Sequence, residues 1–238
     1  MNVIELSWLD LAIAASLLLA LAAVVWRMQL QQHTSLLIAG SRTIIQLLLV
    51  GLVLKTLFTH ATWYWVILMM TVMLAIAGYE ISARQNRRFR GWWGYGLGVT
   101  SMTISSLRGL LFSLWVLVQP VPWYMPQYAI PLMGMLLGNS MTGIALAVDR
   151  LTETAWKQRA QIETRLMLGQ TPAEAIAGIR REAMRAGLTP MINAMSAAGL
   201  VSLPGMMTGQ ILGGTPPMVA VKYQILIMLL ITVSSGFG

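Results

Sequence analysis

Two apolar stretches carry amide or sulfur-bearing side chains that could bind a cation. Asn139 stands in the middle of one stretch, close to Met141, and Met206 and Met207 follow Pro204-Gly205 in another. The proline interrupts a helix and leaves backbone groups that only protein or a water-lined cavity can satisfy. Thioether sulfur is a soft ligand, which suits Cu(I) better than iron. The alternative is that Asn139 bonds to a neighbouring helix and the methionines fill an irregular core.

Four basic residues also lie inside apolar stretches, namely Arg42, Lys55, Arg108 and Lys222. A charge within a membrane is costly and is by default a candidate for function. Lys55 and Lys222 lie near the ends of their stretches, where a long side chain can extend to the membrane surface. Arg42 is two turns from one end and can do the same, or it can line a path together with Gln46, which lies one turn further on the same helix face.

The composition indicates a membrane protein. The chain has 238 residues, of which 57% are hydrophobic and only 10% are charged, whereas soluble domains carry about 25% charged residues. The net charge of +8 lies mostly between apolar stretches and is not read as a nucleic-acid-binding surface. The absence of cysteine excludes disulfides and thiolate metal sites, and no phosphate-binding G-x-x-x-x-G-K-[ST] loop, zinc-protease motif or serine-hydrolase motif occurs. We therefore predict no enzymatic activity in this chain.

The apolar stretches predict an all-α polytopic protein with seven transmembrane helices in a single domain, residues 1–238. Acidic Glu5 and Asp10 accompany the start of the first stretch, which we interpret as a retained helix and not a signal peptide. Arginine and lysine are concentrated in every second connection, so the positive-inside rule places the N-terminus outside. The last stretch runs to Gly238 without a basic tail, and we expect that the protein continues. The predicted spans are about 6–26, 35–58, 61–79, 94–118, 127–148, 189–212 and 218–238.

One long polar segment, Asp149–Gly187, separates the fifth and sixth predicted spans and falls in the cytoplasm by the same rule. Gly169 predicts the end of a first helix, because glycine adopts the left-handed conformation of a helix C-terminus. Thr171, Pro172 and Glu174 predict the start of a second helix through a capping box, and Gly187 predicts its end. This helix–break–helix element is either a solvated connection or a lever that docks a soluble partner.

Several longer motifs resemble one family. Glu163 and Gly169 have the Glu-five-residues-Gly spacing of the coupling motif in ABC-transporter permeases. Together with further motifs, this resembles the FetB-type iron-export permease family from about Gly40 to Ile231. The further motifs are Ser41–Gln46, Pro131–Met141, Thr171–Ala175, Gly199–Leu212 and Lys222–Ile225.

The resemblance implies a permease homodimer in the bacterial inner membrane, joined to two ATP-binding cassette subunits that export iron from the cytoplasm. ATP and magnesium would be bound by the partner, and this chain would carry no cofactor. Glu163, Gly169, Thr171, Pro172 and Glu174 would couple ATP hydrolysis to transport. Similar plant proteins are associated with aluminium tolerance, so another metal or a chelate is an alternative substrate. An ATP-independent channel or secondary carrier would also fit the composition, as would an intramembrane scaffold.

Under this interpretation, the translocation path would be lined by residues of three predicted spans, with Met206 and Met207 as metal ligands. These residues are Arg42, Gln46, Asn139, Met141, Pro204, Gly205, Met206 and Met207.

Overall fold

The computed structural model describes residues 7–59, 62–83, 85 and 93–237. These residues form helices joined by short turns, with no β-strand among them. Six of the helical segments are long and apolar enough to cross a membrane. An all-α polytopic membrane protein is therefore confirmed. The helices are α1 (Trp8–Arg27), α2 (His33–Thr59), α3 (Trp63–Ala83), α4 (Trp93–Phe112, continued by a π-helical segment Ser113–Val118), α5 (Pro126–Lys157), α6 (Arg159–Met167), α7 (Pro172–Ala175), α8 (Ala177–Ala197), α9 (Gly205–Leu212) and α10 (Pro217–Phe237).

The helices gather into two compact units, residues 1–60 and 61–238. In the first unit α1 and α2 pack against each other, and Gly40 on α2 lies directly under the side chain of Leu18 on α1. Most apolar side chains of these two helices are exposed, as expected for surfaces that meet lipid or other protein. The prediction of a single permease domain stays a prediction.

The second unit is built around α5, which packs against α3, α4, α8 and α10. Small residues permit the close approach of α3 and α4, because a methyl group added to Gly98 would lie 2.9 Å from the Gly78 carbonyl oxygen. Met133 and Leu136 on α5 belong to the apolar part of this core and are 1% and 2% exposed. α5 is therefore the central helix of this unit, since the other long helices pack against it.

Three predicted boundaries differ from the structure. The fifth span does not end at residue 148, because α5 continues for nine further residues to Lys157, and the first break lies at Gln158. Gly187 does not end a helix but lies buried inside α8, since its small size serves packing there. The sixth predicted span, 189–212, is divided between the end of α8 and the short α9.

Two glycine motifs predict close helix contacts, and their positions differ in what they meet within this chain. The spacing of Gly134-xxx-Gly138 and of Gly205-xxx-Gly209-xxx-Gly213 is typical of faces where helices approach closely. A methyl group added to Gly134 would lie 3.3 Å from the Met73 Cε on α3, so this position is closely packed as predicted. Methyl groups added to Gly138, Gly205 and Gly209 would meet no described atom within 4 Å, so these three positions are open within this chain. Small size permits close packing but does not by itself require a partner.

Candidate functional site

The polar segment is a hairpin whose two arms, the end of α5 and the start of α8, are held together by a glycine pair. A methyl group added to Gly143 would lie 2.9 Å from the Gly187 carbonyl oxygen, and one added to Gly187 would lie 2.7 Å from that of Gly143. Cβ atoms do not approach backbone oxygens so closely, so only glycine fits both positions. The signal in the sequence was the run of small residues Ser140, Gly143 and Ala147 at helical spacing, which our prediction overlooked.

The tip of the hairpin is ordered by backbone hydrogen bonds. Gly169 follows α6 with a φ of +87°, and its N–H donates to the Leu166 carbonyl oxygen at 3.0 Å. The N–H of Gln170 donates to the Arg165 carbonyl oxygen at 3.1 Å. This is the Schellman arrangement, in which a left-handed glycine lets the last carbonyl groups of a helix be satisfied. The predicted helix end at Gly169 is therefore confirmed.

The predicted capping box at the start of α7 is also present. The Thr171 N–H and hydroxyl both donate to Glu174 at 2.8 Å, and the Glu174 N–H donates back to the Thr171 hydroxyl. Pro172 occupies the first helical position, where its missing N–H costs nothing. The Thr171 backbone N–H, and then its hydroxyl, hold the pKa of the Glu174 carboxyl below its usual value because both stabilise the charged form.

Two polar contacts cross the hairpin. The guanidinium of Arg150 on α5 donates to the Glu182 carboxylate on α8, and the Arg165 guanidinium donates to the Ala175 carbonyl oxygen at 3.0 Å. The Arg150–Glu182 pair is about half exposed on both sides, so water screens most of its attraction. The pair therefore contributes little to holding the two arms together.

The surface of the tip combines an exposed carboxylate with exposed apolar side chains. Glu163 lies exposed on α6, and the apolar side chains of Met167 and Leu168 are 80% and 79% exposed. Large apolar side chains side by side on an otherwise polar hairpin are typical of an interaction site. The coupling role of Glu163, Gly169, Thr171, Pro172 and Glu174 stays a prediction.

A layer of buried serines joins α4, α5 and α10, and sequence reasoning missed it. The Ser140 hydroxyl donates to Ser234 at 3.1 Å, and the Ser234 hydroxyl donates to Ser105 at 3.3 Å. All three side chains are at most 2% exposed. Hydroxyl groups that satisfy one another across three helices fix how these helices are rotated. Serines occur in many loops and helices, so spacing alone did not mark these.

Asn139 and Met141 lie partly buried on α5. The Asn139 side-chain amide donates to the Met135 carbonyl oxygen of its own helix at 2.8 Å. This hydrogen bond joins no neighbouring helix, so it does not support a role for Asn139 in bonding two helices together. A place on the translocation path stays a prediction for both residues.

The interruption at Pro204-Gly205 is confirmed as a break between α8 and α9. Pro204 precedes the first residue of α9, and its carbonyl oxygen accepts from the Thr208 N–H at 3.1 Å. Met206 and Met207 are partly exposed in the first turn of α9. α9 packs mainly against α10 and has no comparable packing against α5, which carries Asn139, among the described residues. The metal-ligand role of Met206 and Met207 stays a prediction.

Arg42 and Gln46 both lie on exposed surface of α2, four residues apart, in the first unit. They share a helix face as predicted, since residues four apart lie one turn from each other. Their role on a path stays a prediction.

Comparison with known proteins shows the family of this chain. The profile of the uncharacterised protein family UPF0014 matches residues 8–238. The chain belongs to this family. The chain is 43% identical to the UPF0014 membrane protein slr1647 of Synechocystis, over 98% of this chain and 89% of that protein. No solved structure matches.

Two further relatives have names that describe a role. This UPF0014 protein is 31% identical to the probable iron export permease protein FetB of Escherichia coli, over 94% of this chain and 85% of that protein. It is 34% identical to the protein ALUMINUM SENSITIVE 3 of Arabidopsis thaliana, over 90% of this chain and 77% of that protein. The resemblance to the FetB-type family is thus confirmed, and a multi-pass membrane permease is supported.

Proposed function

We propose that this chain is the permease subunit of an ATP-driven exporter whose cargo is iron or a compound of iron. The observation that carries the proposal is the hairpin formed by α5–α8. Its arms are continuous with helices of the membrane region and touch at Gly143 and Gly187. Its tip is closed by backbone hydrogen bonds and is partly apolar. Such a hairpin transmits a displacement of its tip into the membrane region, because helices resist bending.

The partner at the tip would be an ATP-binding cassette subunit, which would bind ATP and magnesium and hydrolyse ATP. Met167 and Leu168 supply the apolar contact, and the Schellman turn at Gly169 holds them in place. The relative named FetB supports iron as the cargo. The permease would be a homodimer in the bacterial inner membrane, with its N-terminus outside and the hairpin in the cytoplasm.

The test is purification of the tagged chain from its native membrane, with identification of bound subunits that carry a phosphate-binding loop. We expect such a subunit to co-purify, and we expect Met167→Gln with Leu168→Gln to release it. Met184→Gln is the matched control, because Met184 is 53% exposed on α8, away from the tip. Iron efflux that continues in ATP-depleted vesicles, with no bound ATPase, would instead establish an ATP-independent channel or carrier.

A further inference from the structure

The charged residues in the middle of the apolar helices are all positively charged. Arg108 is the only charged residue between Trp93 and Val148, and Lys222 is the only one between Leu188 and Gly238. Carboxylates of the remaining apolar helices lie in their terminal turns, at Asp10 and Glu80. A multivalent metal cation within this region would therefore meet positive charge and no carboxylate at mid-membrane.

Arg108 lies at the middle of its helical span by two independent measures. It is ten residues from each end of the apolar segment Gly98–Val118, which is about 15 Å of helix in both directions. The adjacent Gly109 packs against Leu136, and Leu136 is itself ten residues into α5 from Pro126. Since the hydrocarbon core is about 30 Å thick, the side chain is too far from either surface to reach it.

Arg108 forms no ion pair or hydrogen bond with any of the described residues, and its side chain is exposed. Ile104 and Phe112, one turn away on either side, are 49% and 52% exposed, so this stripe of α4 is not covered by the second unit. Lipid is an unfavourable surrounding for this side chain, because an unpaired charge at mid-membrane costs free energy. A second copy of the chain offers no carboxylate at this depth.

We propose that Arg108 lines a water-accessible passage and binds an anionic substrate, so that the metal is carried as a negatively charged chelate and not as a bare cation. The guanidinium forms paired hydrogen bonds with carboxylate or phosphate oxygens, and these are strongest where water is scarce. This inference rests on the proposed function for the identity of the cargo, but its binding step requires no ATPase.

The test is equilibrium binding of radiolabelled iron to the full chain in nanodiscs without ATP. The probes are ferric iron with excess citrate, which is a negatively charged chelate, and ferrous iron with ascorbate and no chelator. Wild type should bind the chelate and not the ferrous ion. Arg108→Gln should lose affinity by about tenfold or more, since a hydrogen bond to a charged group contributes about 1.5–3 kcal/mol. Arg108→Lys should retain part of the affinity because it keeps the charge.

Lys55→Gln is the matched control, because it removes one positive charge near the end of α2 and should bind the chelate as wild type does. Equal chelate affinity in wild type and Arg108→Gln would overturn the inference, as would binding of the bare ferrous ion by wild type. Binding of iron-free labelled citrate as tightly as the chelate would support the anion site and would contradict iron as the cargo. The two proposals can thus fail separately.

Discussion

Gly143 on α5 and Gly187 on α8 are in backbone contact, and each occupies the space that a side chain on the other helix would need. A methyl group on Gly187 would also lie 2.9 Å from the Ala147 Cβ. The glycine pair therefore sets the distance between the two arms at the level where the hairpin joins the membrane region.

We predict that Gly187→Ala separates the arms and destabilises the protein by about 1–3 kcal/mol, the usual cost of overpacking. The measurement is thermal unfolding of the detergent-purified protein, combined with efflux in vesicles. Gly178→Ala is the matched control, because Gly178 also lies in α8 but has open space around it. Alanine there should be neutral or stabilising by about 0.5–1 kcal/mol. Equal stability of the two variants would show that the glycine pair is not a close contact.

The second prediction concerns the left-handed turn at the hairpin tip. Gly169→Val should weaken partner binding or uncouple ATP hydrolysis from transport, because a branched side chain at a φ of +87° is strained by about 1–2 kcal/mol or more. Gly169→Asn should be much milder, since asparagine tolerates this conformation. Both variants have open space at this position, so the pair isolates backbone strain. Normal partner affinity and normal transport in a well-expressed Gly169→Val protein would contradict the proposed role of the hairpin in coupling.

The third prediction is a pH dependence at the capping box. The pKa of Glu174 is lowered in the folded state, so its contribution is present above the unfolded value of about 4.3 and is lost as pH falls through the folded pKa. Hydrogen exchange at the start of α7 should therefore lose protection on acidification. Glu174→Gln should remove this dependence, because glutamine accepts the same hydrogen bonds without titrating. A wild-type-like acid response in that variant would assign the effect to another group.

The fourth prediction concerns the amide and the sulfurs of the predicted path. Asn139→Leu, and Met206→Leu with Met207→Leu, keep side-chain volume nearly constant and remove the ligands. If these residues line the path, metal-stimulated ATPase activity and efflux should fall in the reconstituted complex. Met102→Leu, at a fully buried core position, is the control for packing alone. Unchanged metal dependence in the assembled variants would make Asn139 and the two methionines structural.

The fifth prediction tests the orientation. A reporter fused after Arg90 or after Lys157 should be cytoplasmic, and one fused at Pro122 should be external, because positively charged connections remain inside. Reporters at Pro122 and Lys157 on the same side of the membrane would contradict the predicted topology.

The sequence by itself determined the class of the protein and its local helix signals. Apolar length predicted the membrane helices, the left-handed preference of glycine predicted the helix end at Gly169, and Thr171 with Glu174 predicted the capping box. These features are local, because they depend on residues within one or two turns. The sequence also marked Arg108 as a candidate for function, because it is a charged residue inside an apolar stretch.

The tertiary structure decided everything that depends on which helix faces which. It placed Gly187 inside α8 against Gly143 instead of at a helix end, and it joined Ser105, Ser140 and Ser234 across three helices. It also left the Gly205 and Gly209 face open. A glycine or a serine has the same local propensities whether it touches a neighbouring helix or not. Its role is therefore set by helix rotation and depth, which arise only when the helices pack.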